Sequence, residues 1–128
     1  MRILGIDYGK KKIGLAVGVS EIKIASPLSV IQNSDNSLEL IAKFIDDEDI
    51  QEVVIGRPLG NSESIASQQR RVDEFVNTLN DKLTVKVLTF EEGYTSSEAK
   101  RMMQESEVGG EDDAIAAMLM LQRYLEVL

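Results

Sequence analysis

The sequence predicts an α/β protein in which one mixed five-stranded sheet carries helices on both faces. Three observations predict this class. Apolar runs of strand length open the chain, two later runs are separated by segments of helical periodicity, and a helical segment ends the chain. Consecutive strands of a meander pair antiparallel, whereas strands joined through helices pair in parallel. We therefore expect a three-stranded antiparallel meander followed by two parallel strands.

The meander is predicted by three apolar runs near the amino terminus. Residues 2–7 and 12–19 flank a short basic turn, which is typical of a hairpin. A third run, 22–31, contains Pro27. Proline cannot donate a hydrogen bond to a neighbouring strand, so we expect this third strand at an edge of the sheet.

The first helix and the fourth strand follow. Asn36 and Glu39 have the spacing of a capping box, and apolar residues then recur at helical period up to the acidic stretch 46–49. Residues 52–56 form a nearly continuous apolar run, which is typical of a strand buried on both faces.

Two more helical segments and one strand complete the pattern. A long helix has its apolar stripe between Ile65 and Leu79, and the last strand spans 83–90. Thr95 and Glu98 have the spacing of a second capping box and open a short helix. Asp112 begins the final helix.

Composition limits the chemistry that is available. The 128 residues suit one domain spanning 1–128, and 14 Lys and Arg against 22 Asp and Glu give a net charge of −8. The absence of His and Cys excludes imidazole bases, thiolate nucleophiles and zinc–thiolate sites. With no long apolar run and no leader-like segment, we expect a cytoplasmic protein that does not contact membranes.

Carboxylates are placed where chemistry is expected on such a sheet. Ligands gather at the carboxyl ends of strands, where Asp7, Glu91 and Glu92 stand, and the helix that begins at Asp112 and Asp113 can fold back over the sheet. Clustered carboxylates repel one another, and a divalent cation removes the repulsion. Oxygen-only ligands favour Mg²⁺ or Mn²⁺, and a two-metal site completed by substrate phosphate can hydrolyse phosphodiesters without His or Cys.

The sequence pattern alone does not decide which residue of the pair Glu91 and Glu92, or of the pair Asp112 and Asp113, faces the metal. Glu91 and Glu92 point to opposite faces of their strand, so only one of them can face the metal. Both faces of this sheet are covered, so hydrophobic alternation cannot choose between them. Asp112 or Asp113 could instead complement the amino end of its helix dipole.

Five segments together carry a family resemblance. They are ILGIDYG at 3–9, KIGLA at 12–16, VVIGRPL at 53–59, EEGYTS at 91–96 and DAIAA at 113–117. In this order and spacing they resemble the YqgF/RuvX family of Holliday-junction-resolvase-like proteins. Two segments depart from the family pattern, because Gly93 replaces an Arg and residues 106–112 are acidic where members often carry a basic loop.

The resemblance implies a ribonuclease-H-like fold and a metal-dependent endonuclease. Its substrate would be the 5′ end of precursor 16S ribosomal RNA or branched DNA. Carried over to this sequence, the family's catalytic and metal-binding residues fall on Asp7, Glu92 and Asp113, with Glu91 in reserve.

A nucleic-acid partner requires cations that replace its counterions. Basic residues beside Asp7 and after the fourth strand could form a modest track, although lysines in a hairpin turn also serve as solvated turn residues. The residues of this expected track are Lys10, Lys11, Lys12, Arg57, Arg70 and Arg71. We expect structured RNA or branched DNA to bind weakly and with strong salt dependence.

Two other functions and one assembly stay open. Asp7, Gly9 and Gly14 also resemble the phosphate hairpin of actin-like ATPases, although those enzymes close two domains on the nucleotide. A non-catalytic binding module of the same fold would suit the acidic loop. Met120 and Tyr124 on the last helix could form a homodimer contact or belong to the core.

Overall fold

The computed structural model describes residues 1–91 and 112–128. Within these ranges we number the strands and helices in chain order as β1 (Arg2–Tyr8), β2 (Lys12–Val19), β3 (Ile24–Gln32), α1 (Ser37–Asp47), β4 (Glu52–Arg57), α2 (Glu63–Lys82), β5 (Lys86–Glu91) and α3 (Asp112–Glu126). The short helix expected at Thr95 lies outside the described residues. No helix within the two described ranges is long and apolar enough to cross a membrane.

The sheet has the predicted mixed topology. The strands lie side by side in the order β3-β2-β1-β4-β5. The pairs β3–β2 and β2–β1 are antiparallel, and the pairs β1–β4 and β4–β5 are parallel. The strand that contains Pro27 is at the edge, as expected. Its ladder with β2 is irregular between Leu15 and Ala16, which pair with Ser29 and Pro27. One extra residue on the edge strand thus forms a bulge beside the proline.

Helices cover both faces of the sheet, and alternate residues of β1 show the division. Leu4 and Ile6 are buried in the core that α1 and α2 form with one face. Ile3 is buried in a smaller core under α3 on the other face. Side chains alternate along a strand, so Asp7 continues the face that α3 covers and Tyr8 belongs to the α1 and α2 face.

Glycines in the sheet allow α3 to approach closely. A methyl group at Gly5 would lie 2.9 Å from Leu121 Cβ, and one at Gly14 would overlap the main-chain carbonyl of Asp113. On the helix side of this contact, the small residue Ala117 is fully buried. The glycines of the facing strands are the second half of that contact.

The capping box predicted at Asn36 is wrong. Asn36 makes no side-chain capping hydrogen bond. The adjacent Ser37 instead donates its hydroxyl to the Gln32 carbonyl at 2.9 Å and accepts a hydrogen bond from the Ser34 main-chain N–H at 2.8 Å. The chain entering α1 is therefore tied to the end of β3.

The last helix places its apolar residues in the core. Met120 is only 4% exposed, and the Tyr124 ring packs edge-on against Phe90 with 5.5 Å between ring centroids. The Tyr124 hydroxyl reaches Glu52 Oε2 at 3.4 Å, and burial of the phenol raises its pKa. Of the two interpretations of this pair, the structure supports a core position.

Candidate active site

Asp7 and Asp113 form a carboxylate pair at the carboxyl end of β1. Asp7 pairs across the hairpin with Gly14, and the main chain of Asp113 lies directly against that glycine. The amino end of α3 is thereby held over the end of β1. Burial, together with a smaller contribution from the negative charge of Asp113, raises the pKa of Asp7 to about 6.

The environment of this pair fits a divalent cation. Within residues 1–91 and 112–128, no side chain donates a hydrogen bond to Asp7 and no cation pairs with it. The carboxylates of Asp7 and Asp113 supply oxygen ligands of the kind that Mg²⁺ and Mn²⁺ prefer. The described part of the chain contains no group of three acidic ligands, and Glu92, the third predicted ligand, lies outside it.

Glu91 is held away from the Asp7 and Asp113 pair. It is the cross-strand partner of Arg57, whose Nη1 donates to Glu91 Oε1 at 3.0 Å. Phe90, the residue before it, packs into the core under α3. By strand alternation Glu91 therefore belongs to the face opposite Asp7. This geometry disfavours the reserve ligand, while the role of Glu92 stays a prediction.

Arg57 is occupied by carboxylates. Its Nε and Nη2 atoms donate to the two oxygens of Asp73 at 3.0 and 3.1 Å, in addition to the bond to Glu91. The hydrogen bonds to Arg57 lower the pKa of Asp73, and the same bonds raise the pKa of Arg57. This cluster joins the ends of β4 and β5 to α2, which makes Arg57 a less available phosphate contact than the sequence suggested.

Of the three lysines of the predicted track, Lys10 and Lys11 are exposed in the turn between β1 and β2, and Lys12 is exposed at the start of β2. The turn is closed by a hydrogen bond from the Gly9 N–H to the Lys12 carbonyl at 3.0 Å. Asn33 donates its main-chain N–H to the Lys11 carbonyl at 2.8 Å. The lysines therefore lie at the same end of the sheet as the Asp7 carboxylate.

The two arginines of α2 differ in their surroundings. Arg70 is exposed, whereas Arg71 is partly buried. Arg71 donates to Ser67 Oγ at 2.8 Å and, from Nε and Nη2, to Gln68 Oε1 at 3.1 and 2.6 Å. The two arginines of the predicted track therefore differ in exposure and in hydrogen bonding.

Gln68 is a site-supporting residue that the sequence did not reveal. Its Nε2 donates to the Tyr8 carbonyl at 2.6 Å, one residue after Asp7. The Tyr8 ring stacks on Phe75 with 4.1 Å between centroids. In the sequence, Gln68 was one member of a polar helix face, and nothing in the pattern distinguishes a glutamine that binds a strand end from one that faces water.

The order and directions of the five strands, with helices on both faces of the sheet, define a ribonuclease-H-like domain. Solved structures support this fold. RuvC of Thermus thermophilus in complex with a Holliday junction substrate matches with a TM-score of 0.61 and 15% identity, over 99% of this chain and 95% of that one. The Holliday junction resolvase of fowlpox virus also matches with a TM-score of 0.61 and 15% identity, over the full length of both chains.

Sequence comparison assigns the family. The family model of RuvX, described as Holliday junction resolvase, matches residues 1–127. A relative from Shewanella oneidensis bearing the name "Putative pre-16S rRNA nuclease" is 35% identical over 97% of this chain and 93% of its own. The chain belongs to the RuvX family, and the resemblance noted from its motifs is confirmed.

Proposed function

We propose that this protein is a metal-dependent endonuclease that processes the 5′ end of precursor 16S ribosomal RNA in the cytoplasm. Membership of the RuvX family makes the chain a phosphodiester hydrolase. The observation that carries the proposal is the carboxylate pair of Asp7 and Asp113, held together at the end of β1 with a raised Asp7 pKa. A pair that destabilises its own charges is suited to a cation and costs the fold energy without one.

The chain's own residues have distinct roles in this proposal. Asp7 and Asp113, with Glu92 as the predicted third ligand, would hold Mg²⁺ or Mn²⁺ through oxygen atoms. The bound metal supplies Lewis acidity toward the phosphoryl group and lowers the pKa of a water molecule. Partial burial of Asp7 limits competing water, and the hairpin lysines lie where phosphates of an approaching strand can pair with them.

The test uses labelled precursor 16S RNA and a four-way DNA junction with Mn²⁺, with Mg²⁺ or with chelator. Asp7→Asn and Asp113→Asn remove one ligand charge each with little change in shape. Asp47→Asn is the matched control, because Asp47 is exposed at the end of α1 and near the amino ends of the strands. We expect metal-dependent cleavage of the RNA that falls at least 100-fold in the two site variants, the scale of losing a catalytic electrostatic group.

Four outcomes contradict the proposal. Cleavage that survives chelation excludes the metal mechanism, and an Asp7→Asn variant as active as Asp47→Asn excludes the carboxylate pair. Cleavage of the junction alone redirects the substrate assignment to branched DNA. Metal-independent binding of RNA without cleavage identifies a non-catalytic binding module.

A further inference from the structure

A second concave site lies on the face of the sheet opposite Asp7. It is a cleft of about 490 Å³ between the end of β1, the segment leading into α1, and the middle of α2. The polar and aromatic residues that line it include Tyr8, Asn33, Ser34, Asp35, Arg71 and Glu74. Its volume is in the range of small-molecule sites. Tyr8 follows Asp7 directly, so the cleft and the carboxylate pair share one end of β1.

Arg71 presents unused hydrogen-bond donors in this cleft. Its three hydrogen bonds go to the neutral acceptors Ser67 Oγ and Gln68 Oε1. Of the five N–H groups of a guanidinium, two therefore remain, one on each Nη atom. Within the described ranges, no carboxylate forms an ion pair with Arg71. A guanidinium that is oriented by neutral partners and keeps both charge and donors is suited to a phosphate oxygen pair.

The acidic residues of the cleft are suited to hydroxyl groups of a ligand and not to its phosphate. Asp35 and Glu74 are both exposed carboxylates that can accept hydrogen bonds from hydroxyl groups. They also oppose a second phosphate in the same cleft. In many nucleotide-binding proteins, a carboxylate next to the phosphate-binding group accepts hydrogen bonds from the ribose hydroxyls.

Tyr8 gives the cleft a rigid wall. One face of its ring is covered by Phe75, in a stack with 23° between ring planes. Its hydroxyl has no hydrogen-bond partner among residues 1–91 and 112–128, and it is free to bond a ligand. Gln68 fastens this wall to Arg71, because its Oε1 accepts from Arg71 and its Nε2 donates to the Tyr8 carbonyl. The Arg71 guanidinium and the Tyr8 wall thus belong to one connected network.

We propose that this cleft binds one ribonucleotide unit, with its phosphate on Arg71 and its ribose hydroxyls on Asp35 and Glu74. The choice of RNA as the polymer rests on the proposed function. The unit comes either from the RNA chain or from a free nucleotide, since both carry the same phosphate and ribose. In the first case the cleft selects RNA over DNA, because a deoxyribose lacks the 2′-hydroxyl.

The experiment measures binding in chelator, so that no cleavage occurs. The probes are uridine 5′-monophosphate, its 2′-deoxy form, and short oligouridine and oligodeoxyuridine strands. The readouts are affinity and the NMR shifts of the Asn33 side-chain amide, which reports the cleft directly. Arg71→Gln removes the positive charge that binds the phosphate, and Arg71→Lys keeps the charge without the paired donors of a guanidinium. Asp35→Asn together with Glu74→Gln removes the carboxylates that accept from the ribose hydroxyls.

Lys82→Gln is the matched control, because Lys82 is exposed on the same helix about 16 Å further along its axis. We expect ribose probes to shift the Asn33 amide and to bind about tenfold more tightly than deoxy probes, the effect of one charge-assisted hydrogen bond. Arg71→Gln weakens both sugar types about tenfold, Arg71→Lys weakens them less, and the double acidic variant removes the ribose preference.

Each result decides one point. Shifts with oligouridine alone assign the unit to the RNA chain, and shifts with the mononucleotide as well show that the cleft accepts a free nucleotide. Equal ribose and deoxyribose binding, or an Arg71→Gln variant that binds like Lys82→Gln, overturns the proposal. Since binding is measured without metal, a failure of RNA cleavage leaves this result interpretable, and an empty cleft leaves metal-dependent cleavage untouched.

Discussion

The main-chain carbonyl of Asp113 occupies the space that a side chain on Gly14 would need. Gly14 is also the cross-strand partner of Asp7, so this one glycine sets the distance between the two acidic residues. The close approach is between backbones and not between flexible side chains. Relief of any added volume must therefore come from movement of the amino end of α3.

We expect Gly14→Ala to lower the free energy of unfolding by about 1–3 kcal/mol, because overpacking against a backbone carbonyl cannot be relieved by a rotamer change. Gly18→Ala is the control. Its new methyl group would lie 2.9 Å from Leu125 Cδ1, the movable end of a side chain, so its cost should be smaller. Urea unfolding of both variants measures the difference. Equal losses would show that the amino end of α3 yields to the added methyl group as easily as the Leu125 side chain near its carboxyl end does.

Asp7 makes stability depend on pH. Its pKa is about 6 in the folded protein against 3.8 as the ordinary value, so the folded state binds the proton more tightly. Below about pH 4 the group is protonated in both states and costs nothing; the cost grows between about pH 4 and pH 6, where only the unfolded state loses the proton, and is complete above pH 6. Asp7→Asn should therefore stabilise the metal-free protein above pH 6 by about 2–3 kcal/mol and have little effect at pH 4.

Urea unfolding in chelator at pH 4 and at pH 7.5 measures the effect of Asp7→Asn on stability, with Asp47→Asn as the reference for an exposed aspartate. A gain from Asp7→Asn that is the same at pH 4 and pH 7.5 would mean that the effect is not electrostatic.

The strand arrangement was predictable because it follows from local rules. Pro27 excludes a central strand, and the run around Val54 requires burial on both faces. Asp7 could be singled out for a related reason, since a carboxylate in an apolar strand has no structural use. These inferences need only the residues near each position and the known handedness of strand connections.

What could not be predicted depends on contacts between distant segments. The Asn36 cap failed because Asn36 has helical backbone angles, φ −89° and ψ −3°, instead of the extended angles of a capping residue, while Ser37 bonds to Gln32 at the end of β3. The carboxylates that bond Arg57 are Asp73 of α2 and Glu91 of β5, and the sequence did not indicate that either lies beside it. A charged side chain's partners cannot be deduced from its neighbours in sequence when they come from other elements.

A bound divalent cation should stabilise the folded protein by neutralising the charges of Asp7 and Asp113. We expect Mn²⁺ at about ten times its dissociation constant to stabilise the wild-type protein by about 1.4 kcal/mol through mass action. Asp7→Asn and Asp113→Asn should lose most of this gain, and the wild type should lose it below pH 6, because the metal competes with the Asp7 proton. Thermal unfolding with and without Mn²⁺ measures the effect, and equal stabilisation of Asp7→Asn would place the cation elsewhere.

Substitutions of Lys11 and Arg57 should have different effects on the salt dependence of RNA binding. Lys11 is exposed in the hairpin turn, so Lys11→Gln should reduce the slope of log affinity against log salt by about 1, as expected when one phosphate contact is lost. Arg57 is bonded to Asp73 and Glu91, so Arg57→Gln should leave the slope unchanged and lower the melting temperature slightly. Filter binding across a salt series in chelator measures both slopes. A slope reduced by Arg57→Gln and unaffected by Lys11→Gln would mean that RNA displaces the two carboxylates and that the turn does not contact the backbone.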